Sequence, residues 1–136
     1  MNKKAKILLV DNDVDFVDLN KAVLENNGYE VVTAFSAREG LDAVKVELPD
    51  LIVLDLMMEK HDAGFAFAKQ VKADPLYKKI PILMLTSVAE VTGFGFSQKL
   101  DGYWMKTDDY AEKPIMPEVL LQKVQQLLER ARSEHS

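Results

Sequence analysis

Ile7-Leu8-Leu9-Val10-Asp11-Asn12-Asp13 decides how this chain reads: four unbroken apolar residues, then three polar ones, two of them acidic. A short apolar run without polar alternation is the mark of a strand buried on both faces, as in a parallel sheet. The pattern returns. Leu51-Ile52-Val53-Leu54 ends at Asp55, and Ile80-Pro81-Ile82-Leu83-Met84-Leu85 ends at Thr86. A fourth short stretch, Tyr110-Ala111-Glu112-Lys113-Pro114, ends in a lysine before a proline. In open parallel sheets, ligands bind just beyond the carboxyl ends of the strands. Two carboxylates, a hydroxyl and an ammonium therefore converge on one edge, a set that suits a divalent cation and a phosphoryl group.

The intervening segments read as helices. Val14 to Asn27 carries Phe16, Leu19 and Val23 at helical spacing, with Asp13 as N-cap and Gly28 as the C-terminal stop. Glu30 to Phe35 is a short strand. Ser36-Ala37-Arg38-Glu39 is a capping box, opening a helix with the stripe Ala37, Leu41, Val44, Leu48 before Pro49. A third helix, about Gly64 to Ala73, buries Phe65, Ala68 and Val71 and ends before Pro75. Pro117 sits at the first position of a closing helix with Leu120, Val124, Leu127 and Ala131 on one stripe. Such alternation predicts an α/β fold, a parallel sheet covered by helices on both faces. The segment between the fourth and fifth strands breaks the pattern. Thr92-Gly93-Phe94-Gly95-Phe96-Ser97 is poor helix material, so a shortened or irregular helix is expected over 88–107, its aromatics pinning a loop to the body or, alternatively, forming a partner-binding surface.

The 136 residues suit one domain with a real core. With 48% hydrophobic and 29% charged residues, the chain is neither disordered nor built to span a bilayer. No apolar run reaches the roughly 20 residues of a membrane helix. The first strand begins too close to Met1 for a signal peptide, and cysteine is absent. A cytoplasmic protein with no membrane association is expected. The net charge of −5 argues against nucleic-acid binding by this domain. His61 and His135 have no metal-binding partner at useful spacing.

Asp11-Asn12-Asp13, Asp55, Thr86-Ser87 and Lys113-Pro114, in that order at four strand ends, resemble the receiver domain of two-component response regulators over about Lys4 to Arg130. The resemblance implies a doubly wound five-stranded sheet of order 2-1-3-4-5. It implies that Asp55 accepts a phosphoryl group from a histidine kinase or a phosphotransfer protein. Mg²⁺ would be held by Asp11, Asn12, Asp55 and the backbone carbonyl of Met57. Thr86, Ser87 and Lys113 would contact the phosphoryl oxygens, Tyr110 would occupy the aromatic switch position, and the Lys113–Pro114 bond would be cis.

Three departures stand out. Asn12 replaces the family's usual second acid. The loop Met58-Glu59-Lys60-His61-Asp62-Ala63-Gly64 lacks the usual proline and is one residue longer. The helix before the fifth strand is degraded. The expectation is a stand-alone receiver with no output domain, signalling by contact with an unknown output protein. It is a phosphoacceptor rather than an enzyme. The competing reading is a degenerate receiver, an interaction module that works without phosphorylation. A related phosphatase would need an acid–base residue near Asp55, where Met57-Met58 offers none. A flavin binder would need a phosphate loop after the first strand, and none is present.

Overall fold

The computed structural model describes residues 5–55, 63–87 and 109–135. In chain order the elements are β1 (Lys6–Val10), α1 (Val14–Asn26), β2 (Glu30–Ala34), α2 (Ala37–Glu47), β3 (Leu51–Asp55), α3 (Ala63–Ala73), β4 (Ile82–Ser87), β5 (Asp109–Lys113) and α4 (Pro117–His135). All strand pairs are parallel and the order is β2-β1-β3-β4-β5, as the resemblance implies. The expected irregular segment at 88–107 lies outside the described residues.

Two-residue alternation sorts each strand between two cores. Leu8, Val10, Ile52, Leu54, Ile82 and Met84 face α2 and α3, meeting Val44, Phe67, Ala68 and Val71. Ile7, Leu9, Leu51, Val53, Leu83 and Leu85 face α1 and α4, meeting Val17, Leu24, Leu120, Val124 and Leu127. Both faces of the central strands are covered, which is why their sequences are continuously apolar.

Local signals set the helix ends. Asp13 is the N-cap of α1, its carboxylate accepting from the Phe16 N–H at 3.2 Å. At the other end Gly28 takes φ +92, and the Tyr29 and Gly28 amides return to the carbonyls of Leu24 and Glu25. That is a Schellman stop, and glycine supplies the left-handed residue without a Cβ penalty. In α2 the Ser36 hydroxyl accepts from the Glu39 N–H, while Glu39 reaches back to the N–H of Phe35, one residue earlier than a standard box. Gly40 lets α2 lie close to the sheet: a Cβ there would stand 2.7 Å from Phe67 Cε2 and 3.1 Å from both Val10 methyls.

Three apolar expectations are corrected. In α1 the buried residues are Val17, Asn20 and Leu24, whereas Leu19 is 62% exposed. Asn20 tolerates burial because its amide donates to the Phe16 carbonyl at 2.8 Å. In α2 the stripe stops short of Leu48, which leaves the helix at φ 49 and is exposed. The right-handed helical region is disfavoured for a residue before proline. β4 begins at Ile82 rather than Ile80, because Tyr77 to Ile80 form a turn and Pro81 has no N–H for the ladder. In α3, Ala68 and Val71 are buried as expected and Phe67 joins them, while the expected burial of Phe65 lies outside the described side chains.

Lys6 ties the opposite edge of the sheet together. Its ammonium bonds the Glu47 carboxylate at 3.1 Å, and its backbone N–H donates to Asp50 at 2.7 Å. The Glu47 hydrogen bond, with Glu30 and Asp50 nearby, raises the Lys6 pKa above its ordinary value against a smaller desolvation effect.

Candidate functional site

Strand register brings the chemistry to one edge. Val10 pairs with Leu54, so Asp11 and Asp55 stand side by side, one residue beyond the pair. Asp55 pairs with Leu85, which puts Thr86 one step further along β4. Ser87 pairs with Lys113, two steps beyond the level of Asp55. By two-residue alternation Asp11, Asp55 and Lys113 fall on the α1 side of the sheet. The lysine stem is long enough to fold back over the two-residue offset.

The contacts follow from this placement. Lys113 Nζ donates to Asp11 Oδ2 at 2.7 Å and lies 3.7 Å from Asp55 Oδ2. Asp11 Oδ1 accepts from the Asp13 N–H at 2.9 Å. Lys113 Nζ also stands 4.4 Å from the centre of the Phe16 ring. Asp11 is 2% exposed and Asp55 6%, while Thr86 is fully buried. Among the described residues the site therefore holds two buried carboxylates around one ammonium, a local excess of negative charge. Buried carboxylates need a partner, and Lys113 serves both.

Of the residues expected from sequence, Asp11, Asp55 and Lys113 are in mutual reach, and Thr86 borders them in β4. Asn12 follows Asp11 and is exposed. Ser87 ends β4 opposite Lys113, and Tyr110 pairs with Met84 along β5. The Lys113–Pro114 bond is cis, as the resemblance implies. Met57 and the loop through Asp62 lie outside the described residues. Two contacts are not legible in the sequence: the Phe16 ring beside the Lys113 ammonium, and the Asp13 backbone N–H on the Asp11 carboxylate. Their one trace there is the spacing Asp11, Asp13, Phe16, which lets the cap fix both a site carboxylate and a ring.

Residues 7–125 match the family model of the response regulator receiver domain. The chain belongs to that family and is a receiver domain of two-component systems. It is 40% identical over 131 residues to the alkaline phosphatase synthesis transcriptional regulatory protein PhoP of Bacillus subtilis, covering 96% of this chain and 50% of that protein. It is 38% identical over 126 residues to the DNA-binding dual master transcriptional regulator RpaA of Synechocystis, covering 92% and 49%. The chain thus spans about half the length of the curated relatives it matches. Chemotaxis response regulator CheY4 of Vibrio cholerae superposes with TM-score 0.80 at 33% identity, over 92% of this chain and 99% of that one. A CheY-like receiver domain protein of Methanospirillum hungatei gives 0.82 at 29% identity, over 97% and 99%.

Proposed function

We propose that this receiver accepts a phosphoryl group on Asp55 from a histidine kinase or phosphotransfer protein. The observation that carries the proposal is the pair of buried carboxylates, Asp11 and Asp55, sharing Lys113 at the carboxyl edge of the sheet. An Asp55 carboxylate oxygen attacks phosphorus and forms the new P–O bond of an acyl phosphate. The P–N bond of the donor phosphohistidine breaks, and its electron pair returns to the imidazole. Lys113 then pairs with the phosphoryl oxygens as a point charge, and the Thr86 hydroxyl supplies a neutral donor.

The donor set fits Mg²⁺, a hard cation that takes oxygen ligands and retains several waters. Among the described residues no three His, Cys, Asp or Glu groups gather. Two carboxylates plus a substrate phosphoryl group are nonetheless a usual Mg²⁺ set. Asp11 and Asp55 would hold the ion, joined by the Asn12 side-chain oxygen and the Met57 carbonyl. When bound, it neutralises charge on the transferring oxygens.

The acceptor is not a turnover enzyme beyond hydrolysis of its own acyl phosphate. A charge of about −2 on Asp55 needs donors, which draws the Thr86 hydroxyl toward the phosphoryl group and lets Tyr110 turn inward. Output by the receiver itself is protein contact, in keeping with its net charge of −5. DNA binding of the kind named for RpaA would belong to sequence outside the matched half. Among the described residues no helix is long and apolar enough to cross a membrane, and a cytoplasmic place of action suits a kinase-fed receiver.

One observation favours a second reading, a phosphorylation-independent interaction module: Asn12 stands where the family usually has an acid. Phosphoramidate, whose P–N bond mimics phosphohistidine, separates the two. Mg²⁺-dependent labelling at Asp55 supports the acceptor, whereas no labelling over hours with excess donor supports the module.

A further inference from the structure

We infer that Phe16 is a positioning residue for Lys113, holding its ammonium at the site through the face of the aromatic ring; the consequence for phosphoryl transfer rests on the acceptor reading above. The contacts form a closed circuit. Asp11 Oδ1 accepts from the Asp13 N–H, and Asp13 Oδ1 accepts from the Phe16 N–H. The Phe16 ring lies 4.4 Å from Lys113 Nζ, and Lys113 returns to Asp11 Oδ2 at 2.7 Å.

Each link has a physical role. A lysine ends a flexible four-carbon stem, so the carboxylates of Asp11 and Asp55 alone leave the ammonium free to shift between them. Phe16 adds a third attraction, the negative face of its ring quadrupole. The ring offers no lone pair that competes with a phosphoryl oxygen. The ammonium is thus held near Asp55 yet can move the remaining distance once an anion forms there. Asp13 keeps the ring in place by capping α1 and fixing the Phe16 backbone. Phe16 is half-buried and packs against the α1–α4 core, which anchors the side chain.

The test compares the full chain with Phe16→Leu, which keeps an apolar side chain without a ring, and Phe16→Tyr, which restores the ring. Two readouts are taken. The first is the NMR shift of the Lys113 ε-methylene protons, displaced by the ring current only when the ammonium end lies over the ring. Displacement in wild type and Phe16→Tyr, lost in Phe16→Leu, supports the positioning; the same shift in all three overturns it. The second is the phosphorylation rate with phosphoramidate and Mg²⁺. Phe16→Leu should be slower by roughly three- to tenfold, as a cation–π contact of ordinary strength requires, with recovery in Phe16→Tyr. Phe16→Leu should cost nothing further in a Lys113→Met background, because it acts through that lysine. Equal rates for wild type and Phe16→Leu, or an undiminished Phe16→Leu loss without Lys113, overturn the role. If wild type takes no label at all, the acceptor reading fails, and the methylene shift alone decides whether Phe16 positions Lys113.

Discussion

Lys113 sits closer to Asp11 than to Asp55: its ammonium is 2.7 Å from the first carboxylate and 3.7 Å from the second. The lysine therefore engages a carboxylate that the proposed cation would use. On that proposal lysine and Mg²⁺ would compete for Asp11, each weakening the hold of the other on it.

Lys113→Met tests that competition. Removing the ammonium leaves two buried carboxylates without their shared partner. The metal-free variant should lose about 2 kcal/mol, less than a fully buried pair because the lysine is partly exposed. Its Mg²⁺ affinity should rise, since one positive charge has left the site. Thermal melts with and without Mg²⁺ read both effects, and a variant stabilised no more by Mg²⁺ than wild type would argue against the competition.

Asn12 and Asp13 have separable roles. Asn12→Asp adds a third carboxylate beside Asp11 and Asp55, whose repulsion only a cation relieves. It should bind Mg²⁺ more tightly and melt lower without metal. Asp13→Ala should cost about 1 kcal/mol through loss of the α1 cap, with Mg²⁺ affinity nearly unchanged. Titration calorimetry on the two variants decides. Abolished binding in Asp13→Ala would make Asp13 the ligand instead.

Gly40→Ala should destabilise by about 1 kcal/mol. Alanine is favoured over glycine in a helix by about 1 kcal/mol. Against that gain, the new methyl meets the Phe67 ring edge and both Val10 methyls, all fully packed. Overpacking of this kind costs about 1–3 kcal/mol. Urea midpoints give the sign directly, and a more stable Gly40→Ala would show that Phe67 yields freely.

The Lys6 cluster carries a pH signature. Its pKa is raised in the folded protein, first by the Glu47 hydrogen bond. A raised lysine contributes stability fully below its unfolded value of about 10.4 and loses it as pH climbs through the higher folded value. Wild type should be more stable than Lys6→Met at neutral pH, and the gap should close above about pH 10.4. A gap that stays constant through that range would remove Lys6 from the list of charge-dependent contacts.

The ends of β1, β3 and β4 were legible because each combines an apolar run with one reactive residue, and the sheet then aligns them without further information. Helix faces were less so. Apolar residues in α1 lie at 14, 16, 17, 19, 22, 23 and 24, which gives two overlapping stripes. Polar Asn20 made the wrong stripe look cleaner, because its bond to the Phe16 carbonyl is visible only in three dimensions. Leu48 fitted the α2 period, yet Pro49 turns it out of the helix. Within the site, the residues were readable but their pairing was not. How far the Lys113 stem folds back, and which carboxylate it meets, depends on the α1 ring beneath it.

The central claim is that Asp55 is the phosphoryl acceptor, and intact mass measured after incubation with acetyl phosphate and Mg²⁺ tests it most directly. Wild type should gain one phosphoryl group, mapped to the peptide containing Asp55, and lose the gain when Mg²⁺ is chelated beforehand. Asp55→Asn should stay folded and unlabelled, because an amide is isosteric but cannot form the acyl phosphate. Undiminished labelling of Asp55→Asn, or a folded wild type that never gains the mass, would contradict the account.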